Sequence, residues 1–174
     1  LDSGEIILST WLHGLWIVDS ENDSVRQIID TQGLLTENTT IRSSLITEHG
    51  QIYFSSYTGV WALDLDNRVV SKPSWSSETL ARLDDEVIFR MLEVDGILYA
   101  ATFDGLISGD LMTGTHKEEY FGGMSSDWAY TRSLFLDSLG ALWVGTHGGL
   151  AQVNRKTGEV TITKKKVKEK VPIE

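Results

Sequence analysis

Residues 143–154 read WVGTHGGLAQVN, and the same order of landmarks occurs at 8–19 (LSTWLHGLWIVD), 53–64 (YFSSYTGVWALD) and 99–110 (YAATFDGLISGD). Each copy turns on a glycine followed by an apolar residue, at Gly14, Gly59, Gly105 and Gly149, with spacings of 45, 46 and 44. A large apolar residue stands six positions before each anchor (Leu8, Tyr53, Tyr99, Trp143), and an Asp or Asn five positions after it (Asp19, Asp64, Asp110, Asn154). A second glycine lies just upstream of each copy, at Gly4, Gly50, Gly96 and Gly140.

These landmarks have backbone reasons. A glycine after Asp95 or His49 suits a hairpin turn that needs positive φ. The aligned apolar residue starts one strand, the anchor glycine marks a turn, and the following strand ends at an Asx turn. Further runs recur before the upstream glycine (41–46, 89–94, 131–136) and after the Asx turn (25–29, 69–71, 117–121, 159–163). Four short strands in a period near 45 predict an all-β chain of propeller-type blades, each of four antiparallel strands. Helical repeats of similar length need long runs of period 3.6, whereas turn residues interrupt this chain every five to eight positions. The predicted blades are 4–36, 37–82, 83–123 and 124–163, followed by a Lys-rich tail at 164–174. Four such units either belong to a larger ring or close on themselves. In the second case residues 167–173 supply the innermost strand that the first unit lacks, pairing near Ile6.

Composition removes several classes. The chain has 174 residues, 41% of them hydrophobic, with sixteen Gly, two Pro and no Cys. That is a globular composition without disulfides, thiolate metal sites or cysteine nucleophiles. The net charge is -10, with -13 on residues 1–163 and +3 on the tail, so the body repels a polyanion such as nucleic acid. The tail lysines read as a solvated segment or an edge strand. No apolar stretch is long enough to span a bilayer as a helix. The chain begins at Leu1 without Met, which reads as a processed or excised piece.

The stretch Gly140-Ala141-Leu142-Trp143-Val144-Gly145-Thr146-His147-Gly148-Gly149-Leu150, preceded by Arg132-Ser133-Leu134-Phe135-Leu136-Asp137, resembles the two-component regulator propeller repeat. Its hallmark reads roughly VRSLxxDxxGxLWxGTxxGL. The match weakens toward the first copy, where Trp11 takes the place of the usual Thr. The resemblance implies an extracytoplasmic sensor of bacterial signalling proteins, some of which detect oligosaccharides, located in the periplasm or outside the cell. It also implies further blades and signalling domains in the parent protein.

No hydrolase, nucleotide or calcium-loop motif occurs, so the expectation is a non-catalytic protein without metal or cofactor. Asp64-Leu65-Asp66-Asn67 alternates carboxylates but reads as turn chemistry. In a propeller, the turn between the second and third strands and the connection between blades open on one face. That places Trp11, His13, Tyr57, Phe103, Asp104 and His147 there, with Trp128 and Tyr130 from a connection and Arg42, Arg90 and Arg132 at the starts of inner strands. Such a rim suits stacking on sugar faces with hydrogen bonds to hydroxyls. The competing explanation is a scaffold in which the aromatics fill space and each Arg bonds the next blade's carbonyls. Three functions compete accordingly. They are a ligand-binding sensor, an interaction scaffold that pairs with a partner or a second copy through open edges, and a quinone-type propeller enzyme suggested by Gly59-Val60-Trp61-Ala62-Leu63-Asp64. The last lacks the Trp that such repeats carry after their Thr-Gly turn.

Overall fold

A computed structural model of the chain describes residues 4–30, 33–113, 117–121 and 125–163. They form four antiparallel sheets, each a meander of consecutive strands. The first holds β1 (Ile6–Ser9), β2 (Leu15–Asp19) and β3 (Ser24–Ile28). The second holds β4 (Ser43–Ile46), β5 (Ile52–Ser56), β6 (Gly59–Asp64) and β7 (Val69–Ser71). The third runs β8 (Ile88–Val94), β9 (Ile97–Thr102), β10 (Gly105–Asp110) and β11 (Lys117–Tyr120). The fourth runs β12 (Thr131–Leu136), β13 (Leu142–Thr146), β14 (Gly149–Val153) and β15 (Val160–Thr163). The expected closing strand at 167–173 lies outside the described residues.

A strand alternates its side chains between two faces, so a sheet with apolar residues on both must be covered on both. Three buried clusters do this, each filled from two successive sheets. Leu15, Ile17 and Ile28 meet Ile52, Phe54, Leu63 and Val70 between the first and second. Val60 of the second meets Ile88, Met91, Leu98 and Ile107 of the third. Tyr99, Ala101 and Leu106 of the third meet Leu142, Val144, Ala151 and Val153 of the fourth. The connection before the third sheet forms a short helix α1 (Glu78–Ala81), capped by the Ser77 side chain, and a 3-10 turn at Arg82–Asp84. Both plug the second interface with Leu80 and Leu83.

Buried hydroxyls tie neighbouring sheets together. The Thr131 hydroxyl, fully buried, accepts from Thr102 N at 2.9 Å and faces the carbonyls of Thr102 and Gly105 at 3.0 and 2.8 Å. Ser43 Oγ likewise accepts from Met91 N at 3.0 Å. Thr131→Val keeps the volume but takes the acceptor away from the buried Thr102 N–H, which costs roughly 1–3 kcal/mol. Urea unfolding measures this; a variant as stable as the parent removes the hydroxyl from the interface account.

The first sheet departs from the spacing that the anchor glycines suggest. In the other three, a two-residue turn joins the hairpin, with Ser56 opposite Gly59, Thr102 opposite Gly105 and Thr146 opposite Gly149. In the first, Ser9 pairs with Leu15, and Thr10 closes the turn by bonding the Gly14 carbonyl through both its N–H (3.1 Å) and its hydroxyl (2.8 Å). Three residues therefore lie inside this turn, and Leu12 absorbs the extra one at φ +65. The consequence is a slip of one residue in β1. Ile7 packs toward the second sheet while Leu8, the residue aligned with Tyr53, Tyr99 and Trp143, faces out and is exposed. Thr10, not Trp11, holds the repeat's Thr position.

Candidate functional site

Two local devices, repeated from sheet to sheet, build a strip of rings and cations along one end of the blades. The first is the hairpin turn. Thr102 and Thr146 bond the carbonyls of Gly105 (2.9 Å) and Gly149 (3.1 Å) through their hydroxyls, as Thr10 does at Gly14, and Ser56 Oγ accepts from Thr58 N at 3.2 Å. A hydroxyl turned back onto the backbone pins such a turn. The next residue is then left at the tip, and the four tips are Trp11, Tyr57, Phe103 and His147. Trp11, Tyr57 and Phe103 are 56%, 51% and 44% exposed.

The second device is a bulge at the start of each inner strand. Pairing skips Phe89 between Ile88 and Arg90, and skips Arg132 between Thr131 and Ser133. In the second sheet both Arg42 and Ser43 oppose Ser55, with Arg42 N donating to its carbonyl at 2.9 Å. A bulge leaves one residue out of the ladder and re-aims its side chain. Arg42, Phe89 and Arg132 are therefore equivalent, and Phe89 lies between two guanidiniums, 5.0 Å from Arg42 and 4.3 Å from Arg132. Arg42 also lies over Tyr57 (4.5 Å) and Trp11 (5.0 Å). On the other side, Phe103 packs edge-on against Phe89 (4.8 Å) and Tyr130 (4.4 Å), and Tyr130 stacks on His147 at 4.0 Å. Arg132 donates to the Tyr130 hydroxyl at 2.9 Å. The strip runs without a break from Trp11 in the first sheet to His147 in the fourth.

Not every residue expected on this rim joins it. Arg90 occupies the place of Ser43 and Ser133 and lies over no ring among the described residues; its neighbour Phe89, absent from the sequence-based set, takes the central position. Trp128, on the short helix α2 (Ser126–Ala129), packs over Gly148 and against the third interface. His13 contributes its carbonyl, which accepts from Trp16 Nε1 at 2.8 Å and Gln27 Nε2 at 2.9 Å, while its imidazole stacks on no ring among the described residues. Asp104 sits at a tip with its N–H bonded to Thr102 Oγ1 at 3.1 Å. Among the described residues, no side-chain bond joins Arg42, Arg90 or Arg132 to a neighbouring sheet's carbonyl. Arg42 and Arg132 stack on rings instead, a contact worth about 0.5–2 kcal/mol each.

The acidic turns are spoken for. Asp64 accepts from Asn67 N (2.9 Å) and Asn67 Nδ2 (2.8 Å), and these bonds hold its carboxyl below the usual carboxylate range. Asp137 is lowered in the same way, chiefly by the indole N–H of Trp143 at 2.7 Å. Among the described residues, no three His, Asp or Glu side chains gather as metal ligands. A cavity of about 460 Å³ lies at the other end of the blades, lined by Asp95, Ile97, Tyr99, Gly140 and Gln152. Its Arg155 is engaged with Asp95 (2.8 Å) and the Gly140 carbonyl (3.2 Å), so we place the candidate site on the strip despite that larger volume. A smaller groove of about 210 Å³ adjoins the strip at Tyr57, between Leu34, Phe54 and Trp61.

Comparison with solved structures identifies the architecture. The chain superposes on the extracellular domain of the hybrid two component system BT3049 from B. thetaiotaomicron with a TM-score of 0.70 and 20% identity, over 91% of this chain and 22% of that one. The fold is that of β-propeller blades. A second such extracellular domain, BT4673 from the same organism, gives a TM-score of 0.66 at 22% identity over 92% of this chain and 21% of that one. The chain thus spans about a fifth of these neighbours. Virginiamycin B lyase from Staphylococcus aureus also matches, with a TM-score of 0.54 and 16% identity over 97% of this chain and 58% of that one. Blades of this kind therefore serve an enzyme as well, and function has to be argued from the site. No family model and no curated protein matches the sequence.

Proposed function

We propose that the chain is a non-catalytic, ligand-binding part of a bacterial sensor, exposed on the periplasmic or extracellular side, and that it recognises an oligosaccharide along the strip. The observation that carries this reading is the unbroken series of ring and cation contacts from Trp11 to His147, exposed at Trp11, Tyr57, Phe103, Arg132 and His147 and half-buried at Arg42, Phe89 and Tyr130. Exposed aromatics joined into one surface are costly unless they meet a partner, and rings with fixed planes present the apolar faces of sugars with a preformed platform. The likeness to extracellular domains of two-component systems supports a sensing role and further domains in a parent protein.

Isothermal titration with a panel of neutral and acidic oligosaccharides tests the reading. At least one glycan is expected to bind, and Phe89→Ala, which removes the ring between the two arginines, is expected to weaken it by about tenfold or more. A panel without any binder removes the carbohydrate assignment. A second reading, an interaction scaffold, draws on the exposed Phe135 and Leu150 of the fourth sheet and Ile6, Leu8 and Val25 of the first. On the second and third sheets, the positions of Phe135 and Leu150 are held by Leu45 and Val60 and by Leu92 and Leu106, which pack against the following sheet. Concentration-dependent mass in solution would favour that reading.

A further inference from the structure

The charges on the strip are out of keeping with the rest of the molecule. Residues 1–163 carry a net -13, so arginines have no shortage of carboxylates to pair with. Arg26 pairs with Glu5 at 3.1 Å, Arg155 with Asp95 at 2.8 Å and Arg82 with Glu86 at 3.9 Å. Arg42 and Arg132 make no ion pair among the described residues. Arg90 makes none either, but it lies off the strip. The two strip arginines lie against rings, and apart from the Arg132 N–H given to the Tyr130 hydroxyl their donors remain for a planar or tetrahedral oxyanion. Arg42 holds a second sign of an absent partner, because its Nε is buried without a hydrogen-bond acceptor among the described residues. A buried donor left unbonded is costly and calls for an explanation. The rings over it, Trp11 and Tyr57, are each more than half exposed, so a ligand that turns them aside reaches that donor.

We infer that the strip takes a glycan bearing one oxyanion, a uronate carboxylate or a sulfate ester, seated across Phe89 between Arg42 and Arg132. This rests on the oligosaccharide reading above and adds the chemical class of the sugar. One acidic group, not a chain of them, is what two local cations on an acidic body accommodate, since the surrounding field repels a polyanion. Phe89, in contact with both guanidiniums, holds the two cations on either side of the seat before the ligand arrives, while Trp11 and Tyr57 are the rings that give way.

The test uses the full chain and matched pairs: methyl β-glucuronide against methyl β-glucoside, and galactose 6-sulfate against galactose. Binding is followed by calorimetry and by the arginine Nε–H resonances in NMR spectra of the unsubstituted protein. The acidic member of at least one pair is expected to bind more tightly than its neutral parent and to move the Arg42 and Arg132 signals; the pair that responds tells carboxylate from sulfate. Arg42→Gln or Arg132→Gln is expected to weaken it by about tenfold or more, as for a lost charge-assisted hydrogen bond. Arg42→Lys, which keeps the charge without the planar fork, is expected to recover only part of the affinity. Equal binding of neutral and acidic members, or signals of both arginines that stay fixed while an acidic sugar binds, overturns the inference and leaves the oligosaccharide reading standing. If no member of either pair binds, the inference falls, and the wider oligosaccharide panel decides the underlying reading separately. The resonance measurement needs no variant, so a misfolded substitution does not protect the inference.

Discussion

Gly59→Ala is expected to lower stability by about 3 kcal/mol or more, well beyond the usual effect of one added methyl. Gly59 opens β6 at φ +91, a conformation that strains any residue with a Cβ. Space is the larger problem. A Cβ built there falls 2.0 Å from the Asp84 carbonyl oxygen and 2.7 Å from that of Leu83. Both belong to the 3-10 turn leading into the third sheet, which Lys72 also ties to this hairpin through the carbonyls of Thr58 (2.9 Å) and Asp84 (2.5 Å). Backbone cannot rotate away as a side chain would, so the second interface must open. Gly50→Ala is the control, because Gly50 has a similar φ of +79 and nothing within 4 Å of its Cβ position. It should cost only the roughly 1–2 kcal/mol of a left-handed residue. Guanidinium unfolding of both variants measures the difference. Equal losses would show that the turn at Asp84 yields, and that the hairpin and the connection are not locked together.

Phe54→Ala is expected to cost about 3–5 kcal/mol, as emptying a large buried side chain does. Phe54 is almost fully buried among Leu15, Ile17, Ile41 and Ile52, where the first and second sheets meet. In a row of blades each unit is held mainly by its neighbours, so damage at one interface is felt most by the units flanking it. The first sheet has three described strands and depends on this cluster for its inner face. Amide exchange in β1 to β3 should therefore accelerate more than in β12 to β15. Uniform acceleration over all four sheets would mean that the row unfolds as one cooperative body.

Much of this architecture was legible from residue spacing, and the exceptions share a cause. Counting from the anchor glycines located the hairpins of the second, third and fourth sheets, because their turns have the same two-residue length. The same count failed by one in the first sheet, where Leu12 lengthens the turn; the better landmark was the hydroxyl of Thr10, which closes that turn as Thr102 and Thr146 close theirs. Aligning the inner strands on their arginines puts Arg90 with Arg42 and Arg132. Matching on the preceding residue, Ile41, Ile88 and Thr131, would have brought Phe89 into line and placed it on the strip. Its place in a connection predicts Trp128 on the rim, yet that connection forms a helical turn and folds the indole onto Gly148.

The order of residues along the chain determined what local sterics and alternation can determine: short strands, glycines where φ must be positive, hydroxyls and Asx residues that close turns, and a period that repeats them four times. Tertiary packing alone decided that Arg42, Phe89 and Arg132 meet. Each stands at the same bulge of a different sheet, more than forty positions apart in sequence. They become neighbours because the buried clusters set consecutive sheets side by side, and a contact made between repeats leaves no mark in the pattern within any one of them.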